Sequence, residues 1–176
     1  MADKRLIVDF SEYDLNHVVA DAEEIRRYNP QRFEMEQLTA VVYVDPQRKL
    51  GVGYKDVRHD EFWVRGHMPR VALMPGVLMC EVAAQLCSYL SLKFDLLGAE
   101  VLGLGGLDEV RFRDPVLPGD RLVMVAQLTK ARRGGMIVSR FQGFVRQSLV
   151  CEGQIKGVPL RLDGGKKEEG GRRKEE

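Results

Sequence analysis

Fourteen residues constrain this chain more than any others. From Val77 to Leu90 (VLMCEVAAQLCSYL) only Glu81, Gln85 and Ser88 are strongly polar, with Tyr89 amphipathic. A helix that is apolar nearly all round is a buried helix, so other elements have to surround it. Pro75-Gly76 precedes it. Proline suits a helix start, because the N–H it lacks has no partner there anyway. With 176 residues, the chain is long enough for one domain with a substantial core.

The surroundings read as strand. TAVVYVD (39–45) and RKLGVGYKDV (48–57), joined through Asp45-Pro46-Gln47, are rich in Val and Tyr and predict an antiparallel hairpin. Further runs of this kind lie at 100–113, 120–133, 136–147 and 149–162, broken at 115–119, Gly134-Gly135 and Gln147-Ser148. The expected order is a hairpin, the buried helix, then a long antiparallel meander: an α+β fold in which a sheet wraps a central helix. Residues 1–36 are polar and partly helical in pattern. Asp21 to Tyr28 carries acids ahead of arginines, the order a helix dipole favours, and Asn29-Pro30 should stop that helix. Residues 163–176 hold five positive and five negative charges, four glycines and no apolar side chain. Such a tail cannot bury enough surface to offset its ordering entropy and is expected to be disordered. The expected organisation is therefore 1–36, a folded domain over 37–162, and the tail.

Composition removes several function classes. Lys and Arg number 27 against 26 Asp and Glu, a formal charge of +1, which argues against a general nucleic-acid binder. No apolar run reaches the length of a membrane span. The start, MADKRLIVDFSEYD, does not read as a secretory signal, so the expected location is the cytoplasm. Cys80, Cys87 and Cys151 are odd in number and form no CxxC pair, which predicts buried thiols rather than disulfides or structural zinc. His17 and His59 lack ligand-spaced partners and are expected at the surface, with no metal site. Gly103, Gly105 and Gly106 lack the spacing and following helix of a dinucleotide loop and read as strand glycines.

Glu81 is the residue that needs a reason. A carboxylate in an apolar helix is costly unless it is paired. Gln85, four residues on, shares its face and can hold it by a hydrogen bond. The plain alternative is a Glu–Gln pair that finds solvent at a sheet edge. Upstream, His67 lies in the turn Gly66-His67-Met68-Pro69, where a purely structural histidine is the corresponding alternative. A histidine and a desolvated carboxylate are the two groups wanted for proton abstraction and leaving-group protonation. Gly76 adds a free backbone N–H at the helix start, suited to polarising a carbonyl oxygen.

The stretch 66–85 (GHMPRVALMPGVLMCEVAAQ) resembles the active-site segment of the FabZ-type (3R)-hydroxyacyl-acyl carrier protein dehydratases, which have the hot-dog fold. The fourteen-residue step from His67 to Glu81 matches, as do Met74-Pro75-Gly76-Val77 and Ala84-Gln85. Pro30-Gln31-Arg32-Phe33, Tyr54-Lys55-Asp56-Val57 and the run from Arg111 to Asp120 resemble three further elements of the family. Met68, Arg70, Ala72, Gln31 and Glu34 stand where it usually has Phe, Gly, Pro, His and Pro. The resemblance implies that His67 takes a proton from C2 of the acyl chain and that Glu81 protonates the departing C3 hydroxyl. It implies that Gly76 N–H binds the thioester oxygen and that Gln85 orients Glu81. It further implies a homodimer with sites shared between subunits, further assembly being left open, no metal or redox cofactor, and a substrate carried on the phosphopantetheine arm of acyl carrier protein (ACP). Arg111, Arg113, Lys130, Arg132 and Arg133, near strand ends, then read as a dock for acidic ACP or as a solvated rim. Related readings are a hot-dog thioesterase, a FabA-type dehydratase/isomerase, which tends to carry Asp where Glu81 stands, and a non-catalytic acyl-binding protein.

Overall fold

The structure is a computed structural model and describes residues 6–160; the tail expected at 163–176 lies outside the described residues. In chain order the elements are α1 (Ala22–Arg26), β1 (Ala40–Asp45), β2 (Leu50–Asp56), α2 (Gly76–Lys93), β3 (Val101–Phe112), β4 (Arg121–Ala131), β5 (Ile137–Val145) and β6 (Ser148–Leu160). The helix predicted over Asp21–Tyr28 is the short α1. Asp21 caps it by accepting from Glu24 N–H, and it ends at Arg26 with Arg27 as C-cap, ahead of Asn29-Pro30.

Twelve of the eighteen residues of α2 are buried. The sheet supplies most of that cover, since α2 packs against β2, β3, β4, β5 and β6. This is the hot-dog arrangement that the resemblance implied. Close approach depends on β2. Its period-two alternation sends Leu50, Val52 and Tyr54 to the outer face and leaves Gly51 and Gly53 towards the helix. A Cβ on Gly51 would lie 2.8 Å from Leu90 Cδ2, so with a larger residue there the buried Leu90 side chain would have to shift.

The sheet is antiparallel throughout, but its order is β1-β2-β4-β5-β6-β3. The expected continuous meander is therefore corrected. β4, β5 and β6 form one, but β3 pairs with β6 at the far edge and β4 returns beside β2. The physical reason lies in the link Arg113–Asp120. Eight residues with two prolines are too long for a tight hairpin, yet reach about 26 Å. That suffices for the three strand spacings, about 14 Å, between β3 and β4.

Residues 6–16 belong to the segment read from sequence as polar and partly helical. They pack on its outer face, where Val8 is buried and Ile7, Phe10, Tyr13 and Leu15 lie against Val42, Val52, Val125 and Phe144. Phe10 meets Phe144 edge-on at 5.1 Å, and Ile7 N–H donates to Gln142 Oε1 at 2.9 Å. The three cysteines are free and buried, as expected. Burial pushes the Cys87 and Cys151 thiols up to about 12 and raises Cys80 as well.

Leu86 is fully buried where α2 meets the sheet. Leu86→Ala should lower unfolding stability by roughly 2–5 kcal/mol in urea denaturation. Val77→Ala, at a position 73% exposed, should change it by no more than about 0.5 kcal/mol. Equal effects would contradict the packing described.

Candidate active site

Gln85 is the fixed point of the site. It is 2% exposed, and both ends of its amide are saturated. Its Oε1 accepts from Gln37 N–H at 2.9 Å and Leu38 N–H at 3.0 Å. Its Nε2 donates to Met35 O at 2.6 Å and to Glu81 Oε1 at 2.7 Å. The Glu81–Gln85 bond read from the four-residue spacing is present. A second donor was not foreseen: Gln31 Nε2 reaches the same Glu81 Oε1 at 3.3 Å. Both donors address Oε1, which leaves Oε2 of Glu81 available. Asn29 Nδ2 donates to Gln85 O at 2.9 Å, so the 29–38 segment is sewn to α2 through polar contacts around one carboxyl group. The sequence signal for this was a run of amides (Asn29, Gln31, Gln37) facing an otherwise apolar helix.

His67 sits in the loop between β2 and α2, half-buried. The His67–Met68 peptide is cis. His67 N–H donates to Trp63 O at 2.8 Å, and Leu73 N–H donates to His67 O at 2.8 Å. The ring nitrogen Nδ1 lies 2.8 Å from Leu73 O. A carbonyl can only accept, so Nδ1 carries the proton, and in the neutral ring Nε2 keeps its lone pair. Arg70, where the resembling family usually has glycine, has no positive φ, so the backbone accommodates it. Among the described residues no hydrogen bond joins His67 to Glu81; within one chain they are held by different elements.

Gly76 begins α2, with Pro75 as N-cap and no side-chain cap. The first helical bonds run from Leu78 and Met79 N–H to Pro75 O, leaving the Gly76 and Val77 N–H groups among the unpaired donors of the first turn. Phe112, at the end of β3, lies over this turn. A Cβ on Gly76 would stand 2.8–2.9 Å from its ring atoms, so a larger residue there would require the Phe112 ring to move. Phe112 is 51% exposed and was not singled out from sequence.

The five basic residues do not form one patch. Arg111 stands opposite Glu152 of β6, and Arg113 pairs with that Glu152. Lys130 is level with Val138 and Lys156. That is about 13 Å further along the strands and about 14 Å across them. Arg132 and Arg133 lie beyond, near the far end of α2, where Arg133 faces Asp95 at 3.4 Å. His17 and His59 are exposed, as expected.

A family model described as FabA-like domain matches residues 29–154. A 3-hydroxyacyl-acyl-carrier-protein dehydratase FabZ from Alkalilimnicola ehrlichii is 35% identical over 139 residues, covering 77% of this chain and 88% of that protein. Its namesake from Desulfotalea psychrophila is 34% identical over 128 residues, covering 72% and 84%. Among solved structures, the dehydratase heterocomplex ApeI:P from Xenorhabdus doucetiae superposes with a TM-score of 0.66 at 16% identity, covering 78% of this chain and 91% of that one. A sigma28-regulated virulence protein from Campylobacter jejuni does so with a TM-score of 0.59 at 16% identity, covering 81% and 94%.

Gln85→Leu removes the partner of two buried backbone donors and of Glu81. At about 1–3 kcal/mol for each buried group left unpaired, stability should fall by roughly 2–5 kcal/mol. Chemical denaturation checks this, and a loss below about 1 kcal/mol would mean the cluster is not closed around Gln85.

Proposed function

The chain belongs to the FabA-like family, among its FabZ-type dehydratases, and from that premise we propose how its residues carry out the reaction. It removes water from (3R)-hydroxyacyl-ACP to give trans-2-enoyl-ACP, a step of fatty acid biosynthesis. His67 Nε2 takes the proton from C2. The C2–H electrons become the C2=C3 double bond, the C3–O bond breaks, and Glu81 gives its Oε2 proton to the departing hydroxyl, which leaves as water. Gly76 N–H, with the α2 dipole behind it, stabilises the negative charge that develops on the thioester oxygen. Gln85 and Gln31 hold Oε1 and so keep Oε2 facing the substrate. The observation that carries this reading is the His67 Nδ1–Leu73 O contact, because it fixes the tautomer whose Nε2 is a base. The elimination changes no net oxidation state, and proton transfer between side chains suffices, so the reading calls for no metal or redox cofactor.

The active unit in this reading is a homodimer in which His67 of one subunit faces Glu81 of the other. The apolarity of α2 does not argue for it, since one protomer already buries that helix. Support comes from β3, a twelve-residue edge strand with Leu104, Leu107 and Phe112 exposed at 59%, 41% and 51%. A long apolar edge is a template for pairing with another chain. Antiparallel pairing of two β3 edges would bring the Arg111 end of one sheet beside the end that carries Lys130, Arg132 and Arg133 in the partner. The separated basic groups would then line one end of a continuous sheet and offer acidic ACP a single dock. We place this work in the cytoplasm, with the carrier. Among the described residues no helix is long and apolar enough to cross a membrane.

His67→Ala and Glu81→Gln should each lower turnover by about 10²–10⁴-fold in an enoyl-thioester absorbance assay, with the melting temperature little changed. Because both groups act in one step, the double variant should lose less than the product of the two single losses. Near-normal turnover by Glu81→Gln would leave Glu81 a structural carboxyl group and remove the acid from this mechanism.

A further inference from the structure

One buried charged group has no part in the chemistry above. Lys55 Nζ lies 2.7 Å from Glu61 Oε1, with the two side chains 7% and 6% exposed. It is the only ion pair among the described residues with both side chains below one-tenth exposed. Attraction within such a pair is largely offset by the loss of hydration, so burial on this scale is weak evidence for stability. What the pair does fix is geometry.

Lys55 follows Gly51 and Gly53 at period two on β2, the alternation that places it on the helix side of the sheet. Glu61 belongs to the loop that leaves β2. Its Oε1 also accepts from Arg58 N–H at 3.3 Å, closing the first turn of that loop. Glu61 O accepts from Val64 N–H at 3.0 Å, which sets the next turn, and Trp63, 4% exposed, anchors it in the core. Trp63 O then accepts from both Gly66 N–H at 3.1 Å and His67 N–H at 2.8 Å. At the other end the loop is fastened by Met74 N–H to Val116 O at 2.8 Å. An unbroken series of contacts thus runs from the Lys55 ammonium to the backbone of the histidine.

We propose that the Lys55–Glu61 ion pair is a positioning device for His67: it locks the first turns of the loop onto β2, and Trp63 O passes that registration to the histidine. The pair acts through His67 and touches no substrate. The proposal rests on the reading of His67 as the base. A base displaced by an ångström from its proton keeps binding intact and loses rate. The loss should therefore fall on kcat and leave KM nearly unchanged.

The test is Glu61→Gln made in the wild-type chain and in His67→Ala, with kcat and KM read on an enoyl-thioester substrate. In the wild-type chain kcat should drop about 10–100-fold with KM within about twofold. In His67→Ala the same change should alter the residual kcat by less than about twofold, because the group it positions is gone. Lys55→Arg, which keeps the charge, should recover at least about tenfold of the loss seen in Lys55→Met. An equal factor in both backgrounds, or a rise in KM with kcat untouched, overturns the proposal. If Glu61→Gln fails to fold, Lys55→Met/Glu61→Leu fills the site with apolar groups and should fold. That variant should show the same kcat loss, and wild-type kcat from it also overturns the proposal. Wild-type kcat in His67→Ala alone would instead refute the base, whatever Glu61 does.

Discussion

The hydrogen bond from Gln85 to Glu81 is the contact on which this structure turns. A helix as apolar as α2 gains its stability by being enclosed, and enclosure is hostile to a carboxyl group. Gln85 makes the two compatible. It spends one donor on Glu81 and its remaining capacity on the backbone of Met35, Gln37 and Leu38. The segment that closes the helix off from solvent is thus ordered by the same amide that holds the Glu81 carboxyl group. Glu81 is left with one oxygen fully engaged and the other free, which is the arrangement a proton donor needs.

Around that contact the fold separates two duties. The sheet and α2 provide a rigid, densely packed frame, with glycines at 51 and 53 allowing the helix to lie close. In the proposed mechanism the chemistry sits on what the frame presents: the first turn of α2 with its unpaired N–H groups, and the loop before it, which carries His67. A loop is a poor place for a base unless its backbone is determined from both sides. Here Trp63 O and Leu73 O fix the backbone and the ring of His67, and Val116 O fastens the loop to the strand connection.

Much of this was legible in the sequence because it followed local rules. An apolar run with a preceding Pro-Gly gives a buried helix, Val- and Tyr-rich runs give strands, and a four-residue spacing puts Gln85 beside Glu81. What escaped depended on contacts distant in sequence. Nothing local says that β3 pairs with β6 rather than β4, although the eight-residue link with two prolines was too long for a hairpin. The cover formed by Ile7, Val8, Phe10, Tyr13 and Leu15 alternates with acids and polar residues, so by composition the segment reads only as polar. Phe112 over Gly76, and Lys55 paired with Glu61, each join residues that only the folded sheet brings together. The basic residues are close in the chain yet far apart in one protomer, since strand register, not sequence distance, sets their positions.

The central claim is that base and acid are contributed by different subunits to one site. Mixing subunits tests it. His67→Ala and Glu81→Gln chains are unfolded together, refolded as a mixture, and assayed for enoyl-thioester turnover. If the site is shared, each mixed dimer owns one site with both groups intact. A statistical mixture, half of it mixed dimers with one working site of two, should then recover about a quarter of wild-type activity. If His67 and Glu81 act within a single chain, no combination restores a complete site. Activity that stays at the level of the separate variants would contradict the account.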